Sequence, residues 1–159
     1  GGKWTTYRAM AEDVLAQCVH TGALQARATS SGTADCRLVG AQAGPSAAAP
    51  VSMTRSPGAH LYGSEQATLH ALPGAEVWLC EGLSEAMVRF AARYEFARTV
   101  EDVLARRSRL LFLDARQAAS VAPAVAQILA QETGVDPQLD SFKALAQHYS
   151  LSETPGQHV

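Results

Sequence analysis

A chain of 159 residues, 47% hydrophobic and 18% charged, has enough apolar material for one soluble domain of ordinary size with an appendage. A formal charge of −2 excludes a whole-chain basic field aimed at nucleic acid or at an anionic membrane surface. The apolar runs fall well short of the about 20 residues that a bilayer span takes, and no basic stretch followed by an apolar one marks a secretory signal.

The chain opens on Gly1, Gly2, Lys3, Trp4, Thr5 and Thr6. Glycines ahead of a lysine and a helix start suit a loop that brings its backbone close to a ligand and then turns into a helix. The lysine and the free amides of the helix start favour an anion or an electron-rich carbonyl. A phosphate loop is excluded, because Trp4 follows Lys3 where Ser or Thr is required and no strand precedes it. An ordinary helix cap behind a cloning remnant is the competing reading. If the turn is a site, its other half lies outside these residues.

From Thr5 to about His20, the residues Tyr7, Met10, Ala11, Val14, Leu15, Cys18 and Val19 follow one helical face. Thr5 or Thr6 can cap the start, and Gly22 supplies the stop. The three cysteines, Cys18, Cys36 and Cys80, are odd in number and widely spaced, which argues against a disulfide framework and for a reducing compartment. Cys18 and His20 lack a CxxC or HxxxH partner, so no metal site is expected.

Between residues 23 and 60 the periodicity collapses into Gly, Pro, Ser and Ala. This reads as a connector, with Cys36–Gly40 as its only short extended segment. A short helix is then expected near Ser64, ending at Pro73 and Gly74. Leu83, Met87, Phe90, Tyr94 and Ala97 form an apolar stripe at spacings of four and three. Thr99 and Asp102 make a capping box that opens a new helix at Val100. Asp114 ahead of Gln117 offers another. Val121, Val125, Ile128 and Leu129 continue helically to Gly134, but Pro123 predicts a break near residues 119–123. Asp136 and Pro137 read as a cap with a first-turn proline, followed by Leu139, Phe142, Ala146 and Tyr149. Residues 151–159 read as a frayed tail. The fold class is therefore all-α: one long N-terminal helix, an irregular linker and a bundle of about five helices. Alanine on the inner faces allows close packing but buries little area, so the core is expected to lean on a neighbouring domain.

Two segments resemble one family. Gly1, Gly2, Lys3, Thr6, Tyr7, Arg8 and Ala11 match Gly-Gly-Lys-x-x-Thr-Tyr-Arg-x-x-Ala, the second signature of the FAD-dependent glycerol-3-phosphate dehydrogenases. The stretch from Arg93 to Ala115, with the LYGSE segment from Leu61 and the residues from Ala122 to Asp136, is similar to that family's C-terminal domain. The resemblance covers most of the chain except the connector from about Ala41 to Ala59. It implies a two-part enzyme that oxidises sn-glycerol 3-phosphate to dihydroxyacetone phosphate and passes electrons to a quinone. Residues 1–22 would then close the FAD-binding domain and residues 61–150 would form the helical C-terminal domain. Lys3 would sit at the flavin pyrimidine edge and the substrate, with the backbone of Trp4 and Thr5 toward the flavin C2 carbonyl. Lysine and helix-start amides there would stabilise the negative charge that reduction places at N1 and C2=O.

No GxGxxG occurs in the chain, so this piece alone is expected neither to hold FAD tightly nor to turn over substrate. The partners implied are the missing FAD and substrate part and a quinone, with no nucleic acid. The parent would be cytoplasmic and peripheral to a membrane. A glycerol-3-phosphate oxidase delivering electrons to oxygen is one alternative, and a free-standing helical interaction module is another.

The charged run Arg93, Glu95, Arg98, Glu101, Asp102, Arg106, Arg107 and Arg109 has acids interleaved and no aromatic platform, which argues against nucleic acid. It reads either as a solvated face with pairs such as Arg98 with Asp102, or as an interdomain ion-pair network with Glu95, Asp102 and Arg106 as its members. His60, His70, His148 and His158 are scattered without acid–base partners, and Ser64 has no GxSxG context.

Overall fold

At the start of the chain, Lys3 is extended (φ −99°, ψ 151°) and opens a 3-10 turn, Trp4–Thr6, that runs into helix α1 (Tyr7–His20). The computed structural model describes residues 2–25, 31–41 and 56–150. They fall into two compact units, Gly1–Ala41 and Gln42–Val159.

In the first unit, α1 ends as its sequence predicts. The Thr21 hydroxyl donates to the carbonyls of Gln17 and Cys18, and Gly22 takes a left-handed conformation at φ 75°. No residue of α1 is buried, and Tyr7, Met10, Val14, Leu15 and Val19 all stand exposed. Arg8 pairs with Glu12, and the Thr33 hydroxyl donates to Glu12 Oε1 at 2.8 Å, tying residues 31–36 to the helix. Within residues 36–40 no strand forms, and only Val39 and Gly40 lie in a turn, which Ala41 N closes by donating to Leu38 O. A strand of that length needs a ladder partner, and none lies beside it among the described residues.

The described residues of the second unit begin with Ser56, hydrogen-bonded to Glu81, and Pro57, packed near Gly82. A 3-10 segment, Ala59–Glu65, bends at Gly63 and leads into α2 (Gln66–His70). Glu65, not Ser64, holds the cap position of α2, and no side chain caps it. A hairpin follows, β1 (Trp78–Cys80) paired antiparallel with β2 (Leu83–Ser84). Helical periodicity hides it, although Val77, Trp78 and Leu79 ahead of Gly82 carry the β-forming residues and the turn glycine that such a hairpin uses.

Then come α3 (Glu85–Tyr94), α4 (Val100–Leu104), α5 (Leu110–Leu113), α6 (Ala115–Thr133) and α7 (Leu139–Tyr149). Three caps are side-chain made. Ser84 accepts from Met87 N, Thr99 from Asp102 N and Asp114 from Gln117 N. The capping box at Thr99 closes in both directions, because Asp102 Oδ2 accepts from Thr99 N at 3.0 Å.

Helix α6 lies at the centre, packed by α3, α4, α5 and α7. It buries Ala118, Val121, Ala122, Val125, Ile128 and Leu129, against a core that includes Phe90, Val100, Leu104, Leu111 and Phe142. The break expected at 119–123 is absent, and α6 runs unbroken through Pro123. Pro123 is exposed while Ala122 and Val125 are fully buried, so packing on the inner face holds the helix across the missing donor. Asp136 and Pro137 also behave differently from the prediction. Asp136 Oδ1 accepts from Gln138 N, Gln138 is left-handed (φ 56°), and α7 starts only at Leu139. Pro137 instead accepts a hydrogen bond from Val100 N at 2.9 Å, which joins this turn to α4. The stripe from Leu83 to Ala97 is divided. Leu83 is buried in β2, Met87 and Phe90 in α3 and Ala97 beyond the helix end, while Tyr94 is half exposed.

Candidate functional site

The turn at Gly2–Thr6 is built locally. Thr6 N donates to Lys3 O at 3.0 Å, the Thr6 hydroxyl donates to the same carbonyl, and Lys3 N donates to Thr6 Oγ1 at 3.3 Å. That closed loop fixes Lys3 at the mouth of the helix. The first amides of a helical turn have no intrahelical acceptor, so the N–H groups of Trp4 and Thr5 open the helix here. Trp4 is 92% exposed, and Lys3 and Thr5 are exposed as well. A Cβ on Gly2 would come within 2.0 Å of Met10 Sδ, so the backbone at Gly2 fits directly under that side chain. Chemically, the turn offers one cation and a helix start, a donor set for an electron-rich edge rather than for a metal. Gly1 lies outside the described residues.

The second cluster is the charged run around α4. Arg106 donates to Glu101 Oε1 at 2.7 Å and to Asp102 Oδ1 at 2.8 Å. Partial burial pushes the Asp102 carboxyl up, but the backbone N–H groups of Arg98 and Thr99 and the nearby Arg106 hold it below the usual range. Glu95 pairs with Arg107 at 3.0 Å, and Arg107 also donates to Asp102 O. Arg98 does not meet Asp102 through its side chain. Its backbone N–H donates to Asp102 Oδ2, while its guanidinium donates to the carbonyls of Ala92 and Ala97. Glu95, Asp102 and Arg106 thus each have a partner within the unit.

A further charged cluster joins Arg93 of that run to two residues outside it, Arg89 and Glu132. Glu132, in the last turn of α6, accepts from Arg89 at 2.7 Å and from Arg93 Nε at 2.6 Å. The Arg93 fork, with Arg89 beside it, holds the Glu132 carboxyl below its ordinary range against partial burial. The available signal was Arg89 and Arg93 one turn apart on α3. Their acceptor is 43 residues away from Arg89 in sequence, which no local pattern reports.

Other predicted features are dispersed. Cys18, Cys36 and Cys80 are free thiols. No group of three or more ligating side chains forms among the described residues, and none of their helices is long and apolar enough to cross a membrane. His158 lies outside the described residues. His70 Nε2 is within 3.3 Å of Gln66, and the buried Nε2 of His60 has no partner among the described residues.

Residues 31–139 match the family described as the C-terminal domain of alpha-glycerophosphate oxidase. The chain belongs to this family. Its relatives include the mitochondrial glycerol-3-phosphate dehydrogenase SDP6 of Arabidopsis thaliana, 35% identical over 83% of this chain and 25% of that protein. The mitochondrial glycerol-3-phosphate dehydrogenase of Homo sapiens is 30% identical over 86% of this chain and 21% of its own length. That of Schizosaccharomyces pombe is 43% identical over a shorter stretch, 35% of this chain and 9% of the relative. The chain therefore spans about a fifth to a quarter of the length of the Arabidopsis thaliana and Homo sapiens relatives. No solved structure matches it. The family match begins at residue 31 and leaves the Gly2–Thr6 turn outside its bounds.

Proposed function

We propose that this chain is the closing part of an FAD-dependent enzyme that oxidises sn-glycerol 3-phosphate to dihydroxyacetone phosphate and hands the electrons to a quinone. The single observation that carries the reading is similarity to glycerol-3-phosphate dehydrogenases over more than four-fifths of the chain. In this reading the helical unit is a structural domain that seats on the catalytic part, and the parent attaches peripherally to a membrane.

The turn supports a cofactor role for its own residues. FAD, when bound in the whole protein, accepts a hydride and gathers negative charge along its pyrimidine edge. Lys3 is the residue proposed to face that edge, with Gly2 giving close backbone approach and the amides of Trp4 and Thr5 donating toward the C2 carbonyl. Thr6 holds Lys3 in place through its hydroxyl. A fixed cation and fixed amides need little reorganisation as charge develops, which is why their placement favours the reduced state. Gly1 belongs to the same proposed turn. Glu95, Asp102 and Arg106 remain proposed as interdomain contacts, and they would have to share their charge with the intradomain pairs already described.

The test is turnover by the full-length protein with sn-glycerol 3-phosphate and a short-chain quinone. Substrate-dependent quinone reduction is expected, and a Lys3→Met variant should lose at least about tenfold in kcat. Absence of any substrate-dependent reduction would overturn the reading. A second reading, oxygen as the acceptor, is favoured by the family's description as an oxidase. It predicts stoichiometric hydrogen peroxide in air in the same assay.

A further inference from the structure

The corner between α3 and α4 contains a feature that the fold does not need. Phe96 is left-handed (φ 58°) and 80% exposed. At that position after a helix the usual residue is glycine, because a side chain there is crowded by its own backbone. An aromatic ring adds the cost of exposed apolar surface. The helix end would close equally well without it, since Ala97 N donates to Ala91 O and Ala97 itself is fully buried.

The ring is also held in place. The Arg98 guanidinium lies 5.9 Å from its centroid and is itself anchored on the carbonyls of Ala92 and Ala97, at 3.0 and 2.9 Å. Beside it an aromatic row leads out of the core. Tyr62 meets Phe90 edge-on at 5.0 Å, and Phe90 meets Tyr94 at 4.8 Å. Tyr94 is 51% exposed, and Leu61, next to Tyr62 in the chain, is 61% exposed.

The carboxylates near this row are already paired, while the Arg98 guanidinium meets only backbone carbonyls and the Phe96 ring. Glu95 is paired with Arg107, and Arg106 with Glu101 and Asp102. Exposed aromatic side chains with an arginine stacked on one of them and paired carboxylates nearby have the composition of a protein–protein hot spot. Nucleic acid and anionic lipid instead call for a cluster of several free cations, and Arg98 is a single one.

We infer that the Phe96 corner is the contact through which this domain seats on the flavin and substrate part of its parent protein. The inference rests on the proposed function. The occupant follows from length: the relatives are four to five times longer than the part matched here, so most of such a protein lies beyond this domain. A partner tethered in the same chain is present at high effective concentration, and one preorganised aromatic anchor with a modest surround is then enough to seat it.

Hydrogen–deuterium exchange on the 159-residue chain and on the full-length protein tests this. In the full-length protein, amides 94–98 should exchange at least roughly tenfold more slowly than in the shorter chain. Phe96→Asp should abolish that difference. Phe96→Gly should abolish it too while leaving the melting temperature of the shorter chain unchanged or higher, because the left-handed strain is relieved. Equal exchange in both proteins overturns the inference. So does a dimer of the shorter chain that Phe96→Asp dissolves, or Phe96-dependent sedimentation with vesicles containing phosphatidylserine. Flavin content and sn-glycerol 3-phosphate oxidation are read separately. An active flavoprotein with an unprotected corner removes this inference alone. A protected corner on an inactive, flavin-free protein removes the functional reading and, with it, the partner named here.

Discussion

At Gly74 the chain needs a residue that no other amino acid replaces. Its φ is 80°, and a Cβ there would lie 2.5 Å from Glu85 Cβ, at the start of α3. Gly74 O also accepts from Val77 N and from Ala86 N, so the turn is pinned to the helix from two sides. Gly74→Ala must combine left-handed strain with a clash against Glu85 Cβ, which the helix start holds in place, and it should destabilise the helical unit by about 2 kcal/mol or more in urea unfolding. A cost below about 0.5 kcal/mol would mean that the helix start gives way easily. Gly2 differs, since its clash is with the far end of a flexible methionine. Gly2→Ala should move Met10 and leave stability nearly unchanged.

Among the elements, the ion cluster that joins α3 to α6 makes the sharpest pH prediction. Arg93 and Arg89 hold Glu132 below its ordinary value of 4.5, so the unfolded chain binds a proton there more readily than the folded one. The stabilisation is therefore fully present above 4.5 and is lost as pH falls through the lowered folded value. Glu132→Gln should cost about 2 kcal/mol at neutral pH. It should also flatten the acid limb of the stability curve, as read by melting temperature between pH 6 and 3. An acid limb of unchanged steepness would show that Glu132 does not contribute. Helix α6 offers the opposite case. Pro123 removes a donor from an exposed helical position, and Pro123→Ala should raise stability by at least about 1 kcal/mol. A fall in melting temperature would mean that proline's stiffening of the unfolded chain outweighs the missing hydrogen bond.

These elements also show what a sequence can and cannot report. The caps at Thr99 and Asp114 and the stop at Gly22 were legible because each is settled within four residues. The continuity of α6 through Pro123 was not, because it is decided by Phe90, Leu104 and Phe142 packing from other helices. The hairpin at Trp78–Ser84 was hidden because strands of three and two residues are too short to show a sustained alternating period. In the candidate site, Lys3 and its turn could be seen in the sequence because a glycine pair before a helix start is a local pattern. The Glu132 clamp could not be seen, because its partners meet only in the fold.

At the scale of the whole molecule, the helical unit has a packed core of its own, whereas α1 has none. A helix of 14 residues with an uncovered apolar face is marginal in water by itself. The dinucleotide-binding elements expected of a flavoprotein are absent from these 159 residues. The chain alone should therefore show no stoichiometric FAD binding when titrated by flavin fluorescence, and stoichiometric binding would contradict its assignment as a dependent part. The most direct measurement is an anaerobic titration of the full-length protein with sn-glycerol 3-phosphate, followed in the flavin absorption band near 450 nm. The account predicts a bound flavin that bleaches as substrate is added and does so far more slowly in a Lys3→Met variant. A protein without flavin, or with a flavin that sn-glycerol 3-phosphate leaves oxidised, would contradict it.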